Sequence, residues 1–432
     1  MMNNETETLI QNLNHDNWRV RLESLRCLIK KINDGELKRP DTGKDVNNHI
    51  HTTYSFSPYS PAKAVWMAYQ SGLQTAGIMD HDSISGAEEF IQAGKIVGMA
   101  TTIGIECRVD FSNTPLSGRR INNPDQDSVA YMTLHGVPHN QIQTVETYFK
   151  PYREHRNRRN RKMVEKINAL TGLPELVLDF DQNIVPLSQS DQGGSITERH
   201  ILYALSLRLI EQYGKGQPLL DYLHNQLQLN MSGKIYGFLA DQSNPHYEYD
   251  LLGLLKGEMV ASFYIDAIEE CPDVRDVIAL SKKIGAISAY AYLGDVGNSV
   301  TGDKKTQKFE DDYLDELFDM LRKLNFDAVT YMPSRNTHQQ LDRVRALCQQ
   351  HGLFQISGED INSSRQSFVC TAMRDEKYQN LFDSTWALIG HELAATKEQS
   401  KGLFTRETIL KYPDLEERIQ VFKELGLILS KQ

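Results

Sequence analysis

The sequence predicts an α/β fold: a barrel or an open, mostly parallel sheet, interrupted by a helical insertion and preceded by a helical extension. Three observations predict it. Strand and helix signals alternate from about residue 45 to 111 and again from about 285 to 357, the rhythm of parallel strands joined by helices. The intervening residues, about 140–283, lose their strand signals and read as helical. Four clusters of histidine and carboxylate residues fall where apolar strands end, the edge at which α/β folds place their chemistry.

In chain order, the segment LNHDNWRVRLESLRCLIKKI sets Trp18, Val20, Leu22, Leu25, Leu28 and Ile29 near one face of a helix. It resembles one HEAT-type unit, which cannot bury its own face and is expected to pack on the main domain. Lys38–Lys44, with a Pro and a Gly, is a connector. Asp45–His51 reads as a strand, Ser60-Pro61 as a helix start running to about Gly72, and Thr75–Met79 as a strand. A helix from about Ser83 to Val97 and a strand Thr101–Phe111 follow, then an apolar-aromatic strand around Tyr131. After the helical stretch come a strand Gly285–Leu293, a helix Phe309–Leu324 and a strand Ala328–Met332. A helix Thr337–His351 with a Thr337…Gln340 capping box, a strand Leu353–Ser357 and a helical tail complete the chain. The expected division is an extension over 1–44, a barrel from 45–139 and 284–375, an insertion over 140–283, and C-terminal helices over 376–432.

Composition narrows the function. The 432 residues are 40% hydrophobic and 24% charged, ordinary for a globular protein. No stretch approaches the ~18 apolar residues of a membrane span. The start, MMNNETETLI, lacks the basic-then-apolar order of a secretory signal. Cys27, Cys107, Cys271, Cys348 and Cys370 are scattered without a CxxC pair, which points to a reducing cytoplasm. A net charge of −10 argues against long nucleic acid held by the overall field. One basic run exists, KPYREHRNRRNRK at 150–162; it reads either as a solvated helix face or as a grip for phosphates.

The clusters carry the chemistry. His49 and His51 are two apart on a strand and share a face. Asp80-His81-Asp82 follows a strand directly, Glu106 interrupts an apolar strand, and Glu359-Asp360-Ile361-Asn362 follows another. Each has an ordinary reading. The histidines are the kind usually satisfied by hydrogen bonds, Asp82 is a candidate helix cap, Glu106 a partner for a buried arginine and Asp360 a turn cap. Their coincidence at strand ends favours a metal site, and mixed N/O ligands suit Zn²⁺, Mn²⁺ or Fe²⁺.

These residues resemble the PHP (polymerase and histidinol phosphatase) family. His49-Ile-His51-Thr-Thr-Tyr-Ser55 is similar to its HxHTxYS opening, Asp80-His81-Asp82 to its DHD motif, Gly104-Ile-Glu106 to its GxE strand, and Gly358-Glu-Asp360-Ile-Asn362 to its GSDxH motif. Arg161–Leu170 and Glu198-Arg199-His200 resemble the R…MVxKxNAL and RPH segments of an insertion found in some members. The resemblance spans about residues 45–370. It implies a distorted seven-stranded β/α barrel and a metal-dependent phosphoesterase, with His49, His51, His81, Glu106 and Asp360 as ligands and His135 or His200 serving a second ion. His135 reads equally as a loop histidine, and His200 as a core histidine. Three departures stand out: Asn362 replaces the family's closing His, Tyr292-Leu293-Gly294 replaces His-Pro-Gly, and Phe56 and Ser57 occupy a further ligand's place. One or two ions per chain are therefore expected, not three.

The expected chemistry follows from the ion, which lowers the pKa of water toward ~7 and neutralises phosphoryl oxygens. Arg335, Arg365 and Arg108 are candidates for phosphate contacts, with a surface ion pair as the alternative for each. Asp82 and Asn362 are candidates for orienting water or assisting the leaving group, though Asn362 cannot act as an acid at neutral pH. The expected substrate is a phosphorylated small metabolite or a short nucleotide. The alternatives are a degenerate member that binds without turnover and a nucleic-acid-binding scaffold.

Overall fold

The computed structural model describes residues 4–296 and 307–431. Among them, seven strands form one sheet in chain order: β1 (Val46–Ile50), β2 (Thr75–His81), β3 (Ala100–Asp110), β4 (Val129–His135), β5 (Ile287–Ala291), β6 (Ala328–Tyr331) and β7 (Phe354–Ser357). The helices are α1 (Asn4–Asn12), α2 (Trp18–Asn33), α3 (Pro61–Gln70), α4 (Ala87–Val97), α5 (Ile142–Thr171), α6 (Glu198–Tyr213), α7 (Gln217–Asn225), α8 (Gly233–Ala240), α9 (Tyr247–Phe263), α10 (Val274–Ile284), α11 (Leu314–Lys323), α12 (His338–His351), α13 (Gln379–Lys397), α14 (Arg406–Lys411) and α15 (Leu415–Leu429).

The α/β class and the curled barrel-like sheet agree with the sequence. Neighbours pair parallel except at β4, which is antiparallel to both β3 and β5. The reason is local: residues 111–128 form turns and bends without a crossover helix, and a parallel partner would need such a crossover. The sheet then curls until its edges meet. Beyond β7, Ile361 bridges Ile50 of β1. His51 N–H donates to the Ile361 carbonyl at 2.9 Å and Ile361 N–H to the His49 carbonyl at 3.1 Å.

Successive strand residues face opposite layers. Tyr290 and Val329 join the core beneath α10, α11 and α12, whereas Ala289, Ala328, Phe354 and Ile356 pack against α13 and α15. The α13–α15 crossing depends on glycine: a Cβ at Gly390 would collide with the Phe422 carbonyl, and one at Gly426 with the Trp386 carbonyl. The helices between β4 and β5 build a core of their own from Met163 to Phe263, with Phe56 reaching into it. The first half of α5, with Val145 and Phe149, and α10 belong to the barrel's core.

The extension packs on the barrel as expected, but on a rotated face. Arg21, Leu22, Ser24, Leu25, Leu28 and Ile32 are buried, and Trp18 is exposed. Arg21 grips Glu89 of α4 at 2.8 and 2.5 Å with both side chains buried, and this pair sets the rotation. The five cysteines are free, and no helix among the described residues is long and apolar enough to cross a membrane.

Candidate metal centre

Chain closure builds the site. The backbone bonds between His49, His51 and Ile361 bring Asp360 beside the β1 histidines across more than 300 positions of sequence. On the other side, the β2–β3 register sets His81 opposite Glu106. Glu106 is therefore not at the end of its strand: β3 runs on four residues to Asp110, and Glu106 stands level with the end of β2.

One carboxylate oxygen, Glu106 Oε2, lies 3.6 Å from His49 Nε2, 3.7 Å from His51 Nε2 and 3.1 Å from His81 Nδ1. His51 Nε2 also meets Asp360 Oδ1 at 3.1 Å. Such separations suit ligands that share one ion at about 2.0–2.3 Å each. His49, His51 and Glu106 form a buried group able to hold a metal ion. The Nε2 atoms of both histidines are buried without a hydrogen-bond partner, a cost that a divalent ion would remove. The donor set therefore fits a metal. The Asp360 side chain, 41% exposed, marks the open side.

A second layer of residues prepares this set. His51 Nδ1 meets Ser55 Oγ at 3.2 Å, and Ser55 Oγ donates to Asp80 Oδ1 at 2.6 Å. With the Ser55 proton given to Asp80, the His51 ring must donate from Nδ1, leaving the Nε2 lone pair for the ion. Asp80 also accepts Thr52 N–H and Oγ1–H, each at 2.6 Å. Asn362 Nδ2 donates to Asp360 Oδ1 at 2.6 Å. Burial, with the charges of His51 and Arg156, pushes the His81 imidazole well below its ordinary pKa. At Asp360, burial opposes ionisation, but the His51 contact and the charges of both β1 histidines outweigh it and hold the carboxyl low.

The remaining candidates have other surroundings. His135 pairs with Gly104 across β3 and β4, two residues along β3 from Glu106. It is buried, with neither ring nitrogen partnered, and burial together with the nearby His49 pushes its pKa to about 3. His200 packs edge-on against Phe56, and its Nδ1 accepts Thr197 N–H at 3.0 Å. Asp82 binds Arg156 at 2.5 Å. Arg108 donates to Tyr131 and to Glu198, Arg365 grips Asp250 at 2.6 and 2.8 Å, and Arg335 donates to the Leu293 carbonyl. Tyr292 donates to Asp311.

Sequence reading missed three features. Only part of the basic run is a solvated face: Lys150, Arg158, Arg161 and Lys162 are exposed, whereas Arg153, Arg156 and Arg159, at helical spacing, are buried. Arg159 binds Glu198 and Glu270, each at 2.6 Å, within the insertion, whereas Arg153 and Arg156 bind Asp82 beyond β2 and so dock the insertion on the barrel. The three-residue period among charges was the available signal. The Ser55–Asp80 relay was hidden because neither residue type is distinctive alone. Arg199, beside His200, lends its charge to Asp360 and makes no ion pair among the described residues.

Residues 47–241 match the PHP domain family model. The chain carries a PHP domain. The PHP match takes in β1 to β4 and the insertion as far as α8. Over 68 residues the chain is 36% identical to a 5′-3′ exoribonuclease of Haemophilus influenzae, a stretch that is 16% of this chain and 25% of that protein. The fold is similar to that of a provisionally assigned metal-dependent phosphoesterase from Bifidobacterium adolescentis, with TM-score 0.50 and 18% identity over 78% of this chain and 96% of the other. An amidohydrolase from Chromobacterium violaceum, crystallised with sulfate and without metal, aligns at TM-score 0.49 and 14% identity over 75% of this chain and 90% of the other.

Proposed function

We propose that this chain is a metal-dependent hydrolase of phosphate esters, acting on a 5′-phosphorylated nucleotide or another phosphorylated small molecule in a reducing, cytoplasmic compartment. The observation that carries the reading is the convergence of two buried, unpartnered imidazole nitrogens on the Glu106 carboxylate. A divalent ion bound there (Mn, Zn or Fe, one or two per chain) supplies Lewis acidity and acidifies water. His49, His51 and Glu106 hold it, and His81 and Asp360 extend the set. Arg199, charged and free of a carboxylate partner, receives the phosphoryl group beside Asp360. The faces of Tyr203 and Tyr249, 5.3 Å apart next to Phe56, offer a wall for a base. The short likeness to an exoribonuclease also favours a nucleotide. His135 is the better placed of the two further histidines, since both its nitrogens are open.

Asn362 and Tyr292 favour a second reading, a metal-binding protein without turnover. Both stand where the resemblance calls for histidine, and each is committed to an aspartate. Metal analysis of the purified protein, with turnover measured on 5′-mononucleotides and short 5′-phosphorylated RNA with and without Mn²⁺, separates the two. Bound metal without turnover would favour the second reading. Absence of metal binding would remove both.

A further inference from the structure

Opposite the metal centre, a cleft of about 1290 Å³ opens at the N-terminal edge of β6 and β7, between α10, α11, α12 and the C-terminal helices. Arg275, Lys282, Arg322, Lys323, Arg345 and Arg418 line it, against the carboxylates of Asp327, Asp414 and Glu416. This cationic excess stands out in a chain of net charge −10. Lys282 is taken by Asp327, Arg275 pairs with Asp273 at 3.2 Å, and Arg345 reaches Asp342 only at 3.9 Å. Arg322, Lys323 and Arg418 make no ion pair among the described residues.

Arg322 and Lys323 end α11, where cations offset the helix's negative pole, an ordinary role. Arg418 lies over the Phe404 ring at 5.5 Å, but its charge has no such explanation. It sits in the first turn of α15, where the helix pole is positive and disfavours a cation. It is buried, its Nε meets no partner, and its Nη1 has only a long 3.4 Å contact to the Leu403 carbonyl. Burial lowers its pKa, with Asp414 and Asp327 opposing. A buried guanidinium with an unsatisfied N–H, lining a cationic cleft, is a feature that an anion would satisfy.

We propose that this cleft is a second binding site, for a phosphate-bearing small molecule, separate from the metal centre. Its volume is ample for a nucleoside diphosphate. Among the described residues, the group able to hold a metal lies at the other end of the barrel, so the ligand is bound here without being cleaved.

The test is calorimetric titration of the full chain with inorganic pyrophosphate and with ADP in EDTA. The same titrations on the Glu106→Gln variant exclude binding at the metal centre. Both proteins should bind at least one probe saturably and equally, and less tightly as salt rises. Arg322→Gln/Lys323→Gln, changing exposed side chains, should weaken binding about tenfold, and Arg418→Gln should weaken it further. The proposal is overturned by no saturable binding at millimolar probe, by affinity unchanged in the Arg322/Lys323 double variant, or by loss of binding in Glu106→Gln alone.

Discussion

Asp82 and Arg156 meet at 2.5 Å with both side chains buried. The aspartate belongs to the loop that carries His81, and the arginine to the first helix of the insertion. This pair therefore ties the metal centre to the part of the chain that covers it. Asp82 also adopts a positive φ of 50°, and Arg153 donates to its carbonyl at 2.8 Å, so two arginines stabilise an otherwise unfavourable turn.

Arg156→Met should destabilise the protein by about 3–5 kcal/mol, because it strands a buried carboxylate. Asp82→Asn in the same chain should restore part of the loss. Urea unfolding of the three variants measures both effects. Full stability in Arg156→Met would mean that Asp82 finds water or another cation.

Ser55→Ala should leave the fold intact and weaken metal binding about 10–100-fold, the usual cost of losing an outer partner of a ligating histidine. The mechanism is loss of tautomer control: without Ser55, the His51 proton is free to sit on Nε2. Competition with a chelator gives the affinity, and an unchanged value would dismiss the relay.

Asp360→Ala should abolish metal-dependent turnover, whereas Asn362→Ala should lower it by about 1–3 kcal/mol in activation free energy, the scale of one hydrogen bond to a charged group. The contrast follows from geometry, since Asn362 acts through Asp360. Turnover and bound metal are measured for each under excess Mn²⁺. Wild-type activity in Asp360→Ala would mean that the ion is not catalytic.

Glu310 supplies a pH test away from the centre. Burial raises its pKa to about 7. It accepts Leu293 N–H at 2.9 Å and Tyr290 O–H at 3.1 Å, leaving Oε2 without a partner. Because the folded pKa lies above the unfolded value, its contribution is fully present below the unfolded pKa and is lost as pH rises through 7. Glu310→Gln, which keeps the acceptor but cannot ionise, should match wild type near pH 4 and exceed it by up to about 3 kcal/mol above pH 8. Parallel chemical denaturation at the two pH values decides.

The parts legible in the sequence share one property: they follow from local periodicity. Alternation along β1 placed His49 and His51 on one face, and the apolar run before Asp80 marked β2. The β4 reversal was not legible, because direction depends on the connection and not on the strand's own residues. Nor were the partners of Arg159: Glu198 lies 39 positions away and Glu270 lies 111, and no spacing rule links such distances. Position and charge single out Arg108 and Arg365 as phosphate candidates, but their carboxylate partners Glu198 and Asp250, 90 and 115 positions away, are set by the fold.

The short loop after β7 carries two anchors. At one end Ile361 is stitched into β1 beside Asp360; at the other Arg365 grips Asp250 of α9, and Ser364 meets His246 at 2.7 Å. Any swing of the helical insertion away from the barrel must break that grip or pull on Asp360. Were an ion held by Asp360, its occupancy and the docking of the insertion would be thermodynamically linked, and linkage is reciprocal: whatever favoured one would favour the other.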